Sequence, residues 1–232
     1  MTKKLTRPRA AGPQIVPQND GRSALANTIL LALPRTERDW VLSKVQFVEI
    51  PRGALLNEMA APIEFGYFIN DGLASILNVM GNGKSVEVGL TGKEGFVGLP
   101  LIADFTTSPN RVLMQIPGSA YRIDARILAP ALRNHLKLEK MLQRYSQELA
   151  MQGTQVAACN RLHTVDQRLA RWLLMSQDRV GGDKVSLTQE FLAHMLGTRR
   201  ASVTVSAGRL QSGGLISYQR GDVLIKSRER LE

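Results

Sequence analysis

Cysteine is almost missing: the chain of 232 residues has one, Cys159. A single thiol excludes an intramolecular disulfide, a four-thiolate iron–sulfur cluster and a zinc site built from several cysteines. One thiol and no staples fits a reducing compartment, so a cytoplasmic protein is expected. Long hydrophobic runs are missing too. The longest nearly apolar stretch, residues 24–33, is interrupted by Asn27-Thr28, and a membrane span needs roughly 20 apolar residues. The stretch runs into Pro34-Arg35-Thr36-Glu37 without a small-residue cleavage site, which reads as a helix and not as a signal peptide. Ser23 can cap it, with Leu25, Ile29 and Leu33 on one face. His135, His163 and His194 share no ligand spacing, so neither a metal nor another cofactor is expected. No Ser-His-Asp order, no paired carboxylates in a cleft and no phosphate loop ending in Lys-Ser/Thr are present, and Gly92-x-x-Gly95-x-x-Gly98 lacks the βαβ unit of a dinucleotide site. An enzyme is not expected.

Charge is present in excess and unevenly placed. The formal net charge is +10. Residues 1–22 carry five basic side chains against one acidic, and residues 160–232 carry twelve against seven, which leaves 23–159 nearly neutral. A neutral body between two basic segments suggests a polyanion partner, most simply nucleic acid; solubility alone is the bland alternative. Residues 1–22 hold Pro8, Pro13 and Pro17 and no periodicity, so a disordered basic arm is expected.

From Val45 to Ile123 short β runs are punctuated by glycine. Residues 45–50, 67–70, 73–80, 85–90 and 111–116 read as strands, with Asn70-Asp71-Gly72, Gly81-Asn82-Gly83 and Thr91-Gly92 as turns. Short strands at such spacing predict a small antiparallel barrel or sandwich. Glycine then disappears for 29 residues, and His135, Leu138, Leu142, Tyr145, Leu149, Gln152, Val156 and Cys159 recur at spacings of 3 and 4. The pattern predicts a long helix with a seam fit for a coiled-coil dimer; the alternative is a helix packed on its own barrel. Gly153 interrupts that helix, and Thr164-Val165-Asp166-Gln167 has capping-box spacing for the next one, which carries Leu169, Trp172 and Leu173 on one face. A domain boundary is placed near residue 160.

The functional signal lies in residues 187–225. Thr188 can cap a helix with Leu192, Met195 and Leu196 buried, and Gly197 supplies the turn of a helix-turn-helix. Thr198 can cap the second helix, with Val203, Ala207 and Leu210 inward. Arg199, Arg200, Ser202 and Thr204 then stand at its exposed N-terminal end, the part that enters the major groove in such modules. Guanidinium groups suit guanine edges or phosphates, and hydroxyls suit phosphates. Leu215–Tyr218, a turn carrying Arg220, and Val223–Ile225 follow as a hairpin wing. The bland reading of the two helices is an αα-corner in an ordinary core.

At these residues the chain resembles transcription regulators of the bacterial Crp/Fnr superfamily, the relatives of the cyclic-AMP receptor protein, over about residues 23–230. Gly66-Tyr67-Phe68-Ile69-Asn70-Asp71-Gly72 is similar to that family's Y-x-I-x-x-G strand and turn, Gly95-Phe96-Val97-Gly98 to its G-x-F-x-G motif, and Arg168–Leu174 to its R-x-A-x-x-L helix. The resemblance implies an α+β fold: a jelly-roll-like antiparallel β-roll sensor domain of the cyclic nucleotide-binding type (23–126), a dimerisation helix (127–159) and a winged helix-turn-helix (160–232). It also implies a homodimer on an inverted-repeat operator in double-stranded DNA, and RNA polymerase as a partner. Leu138, Leu142, Tyr145, Leu149, Gln152 and Val156 would form the dimer seam. Gly98, Leu99, Arg111, Val112 and Thr154 would line the effector pocket.

Two departures bear on the effector. Where cyclic-nucleotide binders of the family grip the ribose with glutamate this chain has Leu99, and Val112 follows the phosphate-type Arg111. Leucine accepts no hydrogen bond, and an unpaired hydroxyl costs roughly 1–3 kcal/mol, so cyclic AMP is not the expected effector. An apolar metabolite and an effectorless dimer both fit. Arg200 matches the family's principal base-reading arginine, while Ala201 and Val205 replace a glutamate and a second arginine, so the target sequence should differ. The rival reading is a β-roll sensor or regulatory subunit whose C-terminal domain binds protein.

Overall fold

The computed structural model describes residues 11–16, 24–83, 85–219 and 221–232. Most of the basic arm, Ser23 and Arg220 lie outside the described residues. The N-terminal part is an antiparallel roll of β1 (Gln14–Ile15), β2 (Gln46–Ile50), β3 (Leu55–Asn57), β4 (Phe65–Val79), β5 (Ser85–Thr91), β6 (Phe96–Val97) and β7 (Arg111–Asp124). The order is β1-β2-β7-β4-β5, with β3 on β7 and β6 on β4. Part of the supposedly disordered arm is therefore a strand: Gln14 stands opposite Glu49 and Ile15 opposite Val48.

Asn70-Asp71-Gly72 does not turn the chain. β4 runs straight through it with register shifts between Ile69 and Ala74. The asparagine is used sideways: its Oδ1 accepts from Ala26 N at 2.8 Å and its Nδ2 donates to Ala24 O at 3.0 Å. Gly72 has φ +83°, and a Cβ there would lie 2.6 Å from Ile116 O; one on Gly118 would lie 2.2 Å from Asp71 O. The two glycines let β4 and β7 bend together at one level, which is bulge geometry.

The first apolar stretch makes α1 (Thr28–Leu31) and the next residues α2 (Arg35–Lys44). Asn27, not Ser23, caps α1 by accepting from Leu30 N at 3.1 Å. Pro34 precedes α2 and begins a helix instead of ending one. After β7 come α3 (Ala125–Ala131) and the long α4 (Leu136–Leu162). The first-turn amides of α4 are met from α2, where Glu37 accepts from Lys137 N at 3.3 Å and Leu138 N at 2.8 Å, an acidic partner suited to a helix N-terminus.

The predicted seam of α4 faces its own roll. Leu138, Leu142 and Tyr145 are buried in one cluster with Ile29, Leu30, Phe68 and Phe96, so no second chain can reach them. The half-buried Leu149 closes over Gly89 of β5, and Val156 lines a narrow crevice with Cys159 and Trp172. The polar members are explained by the sheet edge. Tyr145 Oη donates to Thr91 Oγ1 at 2.9 Å, and Gln152 Oε1 accepts from Leu90 N at 2.6 Å, meeting backbone that the edge strand β5 would leave unpaired. The outward face of α4 carries Met151, 64% exposed, and Leu162, 78% exposed, with Ala150, Thr154, Ala157 and Ala158 also exposed.

The C-terminal domain comprises α5 (Val165–Val180), β8 (Lys184–Ser186), α6 (Gln189–Met195), α7 (Arg200–Ser212), β9 (Ile216–Gln219), β10 (Asp222–Ile225) and α8 (Arg228–Leu231). The Thr164–Gln167 capping box forms. β8 joins the hairpin as a third strand on β10. The domain rests on β5 at three places. Trp172 Nε1 donates to Glu87 Oε1 at 2.7 Å, the His194 ring Nε2 and Ser85 Oγ are 2.6 Å apart, and Gly197 sits against Val86. Arg179 adds a 2.7 Å ion pair with Glu94, in the β5–β6 loop. Burial pushes the Glu87 carboxyl up to about 8, against the opposing pull of its bonds to Ser75 and Trp172 and of the Arg179 charge.

Candidate nucleic-acid interface and internal cavity

α6, the turn at Gly197 and α7 form the helix-turn-helix. Thr188 caps α6 by accepting from Phe191 N at 3.2 Å, so its hydroxyl already has a role within the fold. Gly197 adopts φ +58°, a conformation that glycine takes without a Cβ penalty. Thr198 does not cap α7: the N-cap position is Arg199, and no side chain caps it, so free N–H groups remain at this helix end. Leu192, Met195, Val203, Ala207 and Leu210 are buried as the spacing predicts.

Arg199 and Arg200 are exposed, and neither forms an ion pair among the described residues. Other arginines of the domain are committed: Arg209 pairs with Asp166 at 3.2 Å and Arg228 with Asp178 at 2.6 Å. Arg209 also helps hold the Asp166 carboxyl below its ordinary range, second to a bond from Ser206. Ser202 is half-buried. Thr204 is exposed, but its hydroxyl is engaged within the chain, Oγ1 lying 2.7 Å from Gln189 Oε1 and 3.0 Å from Arg200 O. Gln189, which has no motif to mark it in the sequence, therefore fixes that side chain. Arg220 lies outside the described residues, but Gly221 at φ +90° marks the turn of the wing.

A cavity of about 710 Å³ opens between the roll and the middle of α4. Gly98, Leu99 and Val112 line it; Arg111 and Thr154 do not. The Arg111 guanidinium turns to Glu58, with Nε 2.9 Å from Oε1, and Thr154 is exposed, back-bonded to Ala150 O at 3.0 Å. Ile76, Phe96, Phe105 and Leu149 supply further apolar wall, and Asn57 and Ser146 supply polar atoms. No Lys, Arg, Asp or Glu lines it among the described residues. Sequence spacing could not point to Phe105 or Asn57, because one lies in a loop and the other at the end of β3, before the segment held to that loop by the Met59–Ser108 and Pro62–Thr107 bridges. Those rim loops hold the two non-glycine residues with left-handed backbone among the described residues, Ala60 at φ +61° and Asp104 at φ +59°, and such strain concentrates at binding sites. Gly98 (φ +117°) must remain glycine, since a Cβ there would lie 3.1 Å from Gly66 Cα.

Residues 167–232 match the family model of the Crp-like helix-turn-helix domain. No curated protein matches the chain. Among solved structures, FixK2 from Bradyrhizobium japonicum is similar at a TM-score of 0.69 and 15% identity, covering 81% of this chain and 95% of that one. The c-di-GMP-responsive global regulator CLP from Xanthomonas campestris gives 0.69 and 16%, covering 84% and 100%. A Crp/Fnr-family regulator from Eubacterium rectale gives 0.65 and 14%, covering 88% and 95%. These likenesses establish a shared architecture of β-roll, long helix and helix-turn-helix. Residues 167–232 are thus a Crp-like helix-turn-helix domain, carried on a fold that the chain shares with these regulators.

Proposed function

We propose that the protein is a dimeric, sequence-specific DNA-binding transcription regulator. The observation that carries this reading is the exposed N-terminal end of α7, where Arg199 and Arg200 have no internal counter-charge among the described residues. Arg200 reads a base edge and Arg199 a phosphate; Ser202 and Arg220 add phosphate contacts. Thr188 and Thr204 serve mainly to set the two helices. Dimerisation uses the outward face of α4 through Met151, Thr154, Ala158 and Leu162, and RNA polymerase is the downstream partner in the cytoplasm. The cavity beside α4 takes an uncharged, mainly apolar small molecule, since no ionised side chain lines it among the described residues.

The test is duplex selection followed by footprinting. An inverted repeat with half-sites about one helical turn apart (~34 Å) is expected. Arg200→Ala should lose roughly 1–3 kcal/mol at one base pair per half-site. Arg199→Ala should weaken all sequences alike and flatten the salt slope. Failure to bind any duplex at low salt would favour the rival reading, a C-terminal domain that binds protein.

A further inference from the structure

Within the C-terminal domain, two large hydrophobic side chains are exposed among the described residues: Val205, 53% exposed on α7, and Leu224, 43% exposed on the wing. The other large apolar groups of the domain are buried or half-buried against its core, so the exposure falls on the two elements that the proposed function places against DNA. Val205 is the more telling. A β-branched residue is a poor choice for an exposed helix position, because its side chain loses rotamer freedom there and gains no packing. Nothing inside the chain repays that cost.

The neighbours of Val205 define what it can touch. Ala201, four residues earlier and hence on the same face, is exposed. Thr204 beside it is held by Gln189 at 2.7 Å. Gly208, near one turn further, carries no side chain, and no atom lies within 4 Å of where its Cβ would be. The surface between the uncompensated Arg200 and the C-terminal half of α7 is therefore low, apolar and open. In the major groove one base-edge feature is apolar, the thymine C5 methyl; cytosine at the same place offers an N4 amino donor that a valine would leave unpaired.

We infer that Val205, assisted by Ala201, is a specificity-determining residue that reads a thymine methyl group in each half-site of the operator. The inference rests on α7 being the major-groove helix, and its test separates the two. The full chain selects its operator from random duplexes, and each thymine is then replaced by deoxyuridine, which removes the methyl and nothing else. One buried methyl group is worth about fourfold in affinity. The expected result is about fourfold weaker binding at one thymine per half-site, and about sixteenfold when both half-sites are changed, since distant sites add. Val205→Ala, an exposed change, should bind the selected operator with the same loss and be indifferent to deoxyuridine at that position. A selected operator with no methyl-dependent thymine overturns the inference and leaves the DNA reading standing. So does a Val205→Ala protein that keeps the full deoxyuridine penalty. Selection of no duplex overturns both.

Discussion

Trp172 of α5 and Glu87 of β5 meet across the junction of the two domains, the indole N–H donating to the carboxyl at 2.7 Å. The carboxyl is wholly enclosed, with Ser75 Oγ 2.6 Å away on its other oxygen and its proton affinity raised by burial from the ordinary 4.5 to about 8. A carboxyl whose affinity is higher in the fold than in the unfolded chain stabilises the fold fully below its unfolded value. That contribution is lost as pH rises through the folded one. Stability should therefore fall between pH 4.5 and about 8, by about 1.4 kcal/mol for each unit of the upward shift, and the melting temperature should fall with it. Glu87→Gln keeps the acceptor for Trp172 and leaves Arg168, Arg171, Arg179 and Cys159 around it in place, so its curve should lack this fall. Parallel curves for the two proteins would remove Glu87 from the account.

The two faces of α4 should answer to different measurements. Leu142, fully buried against the roll, should cost about 2–5 kcal/mol of stability when cut to alanine, at every protein concentration. Met151→Glu, on the outward face, should leave the melt of the dilute protein unchanged while shifting sedimentation from dimer to monomer. A Leu142→Ala protein that dissociates with unaltered stability would return the dimer seam to the inward face.

Gly95 lies under Tyr145: a Cβ at that position would come 2.1 Å from the phenol oxygen. Gly95→Ala must displace the ring and break its bond to Thr91, so a loss of roughly 1–3 kcal/mol in chemical denaturation is expected. Tyr145→Phe removes only the hydrogen bond and should cost about 1 kcal/mol.

A thermal-shift panel tests the proposed ligand class. A ligand at 100 times its dissociation constant stabilises by about 2.7 kcal/mol, several degrees for a protein of this size. Uncharged apolar metabolites should give such a shift, and cyclic AMP should give none. Arg111→Ala should change neither result, since its guanidinium is occupied by Glu58. A cyclic-AMP shift abolished by that substitution would overturn the apolar assignment.

Much of this architecture was legible in the chain before folding. The capping box at Thr164, the turn at Gly197 and the inward Val203, Ala207 and Leu210 depend on neighbours within a few residues, and they stand where spacing places them. Long-range choices were not legible. Helical periodicity marks Leu138 and Leu142 as one apolar face but carries no information on which surface covers it. Asn70 and Gly72 have turn chemistry, yet they serve the capture of residues 24–27 and a close crossing of β4 over β7. Arg111 and Thr154 missed the cavity for the same reason, since an ion pair with Glu58 and a turn of α4 decide where they point.

Leu73, Leu77 and Leu90 of the roll share one hydrophobic cluster with Leu169, Trp172 and Leu173 of α5 and with Leu192, Met195 and Val203 of the helix-turn-helix. The helix-turn-helix domain thus borrows a wall of its interior from the roll. Severed near residue 160, it would present that wall to water and lose the mutual support that makes unfolding all-or-none. Intact, the chain should melt as one cooperative body, and a disturbance at Leu77 or Leu90 should reach α7 as a loss of its own foundation.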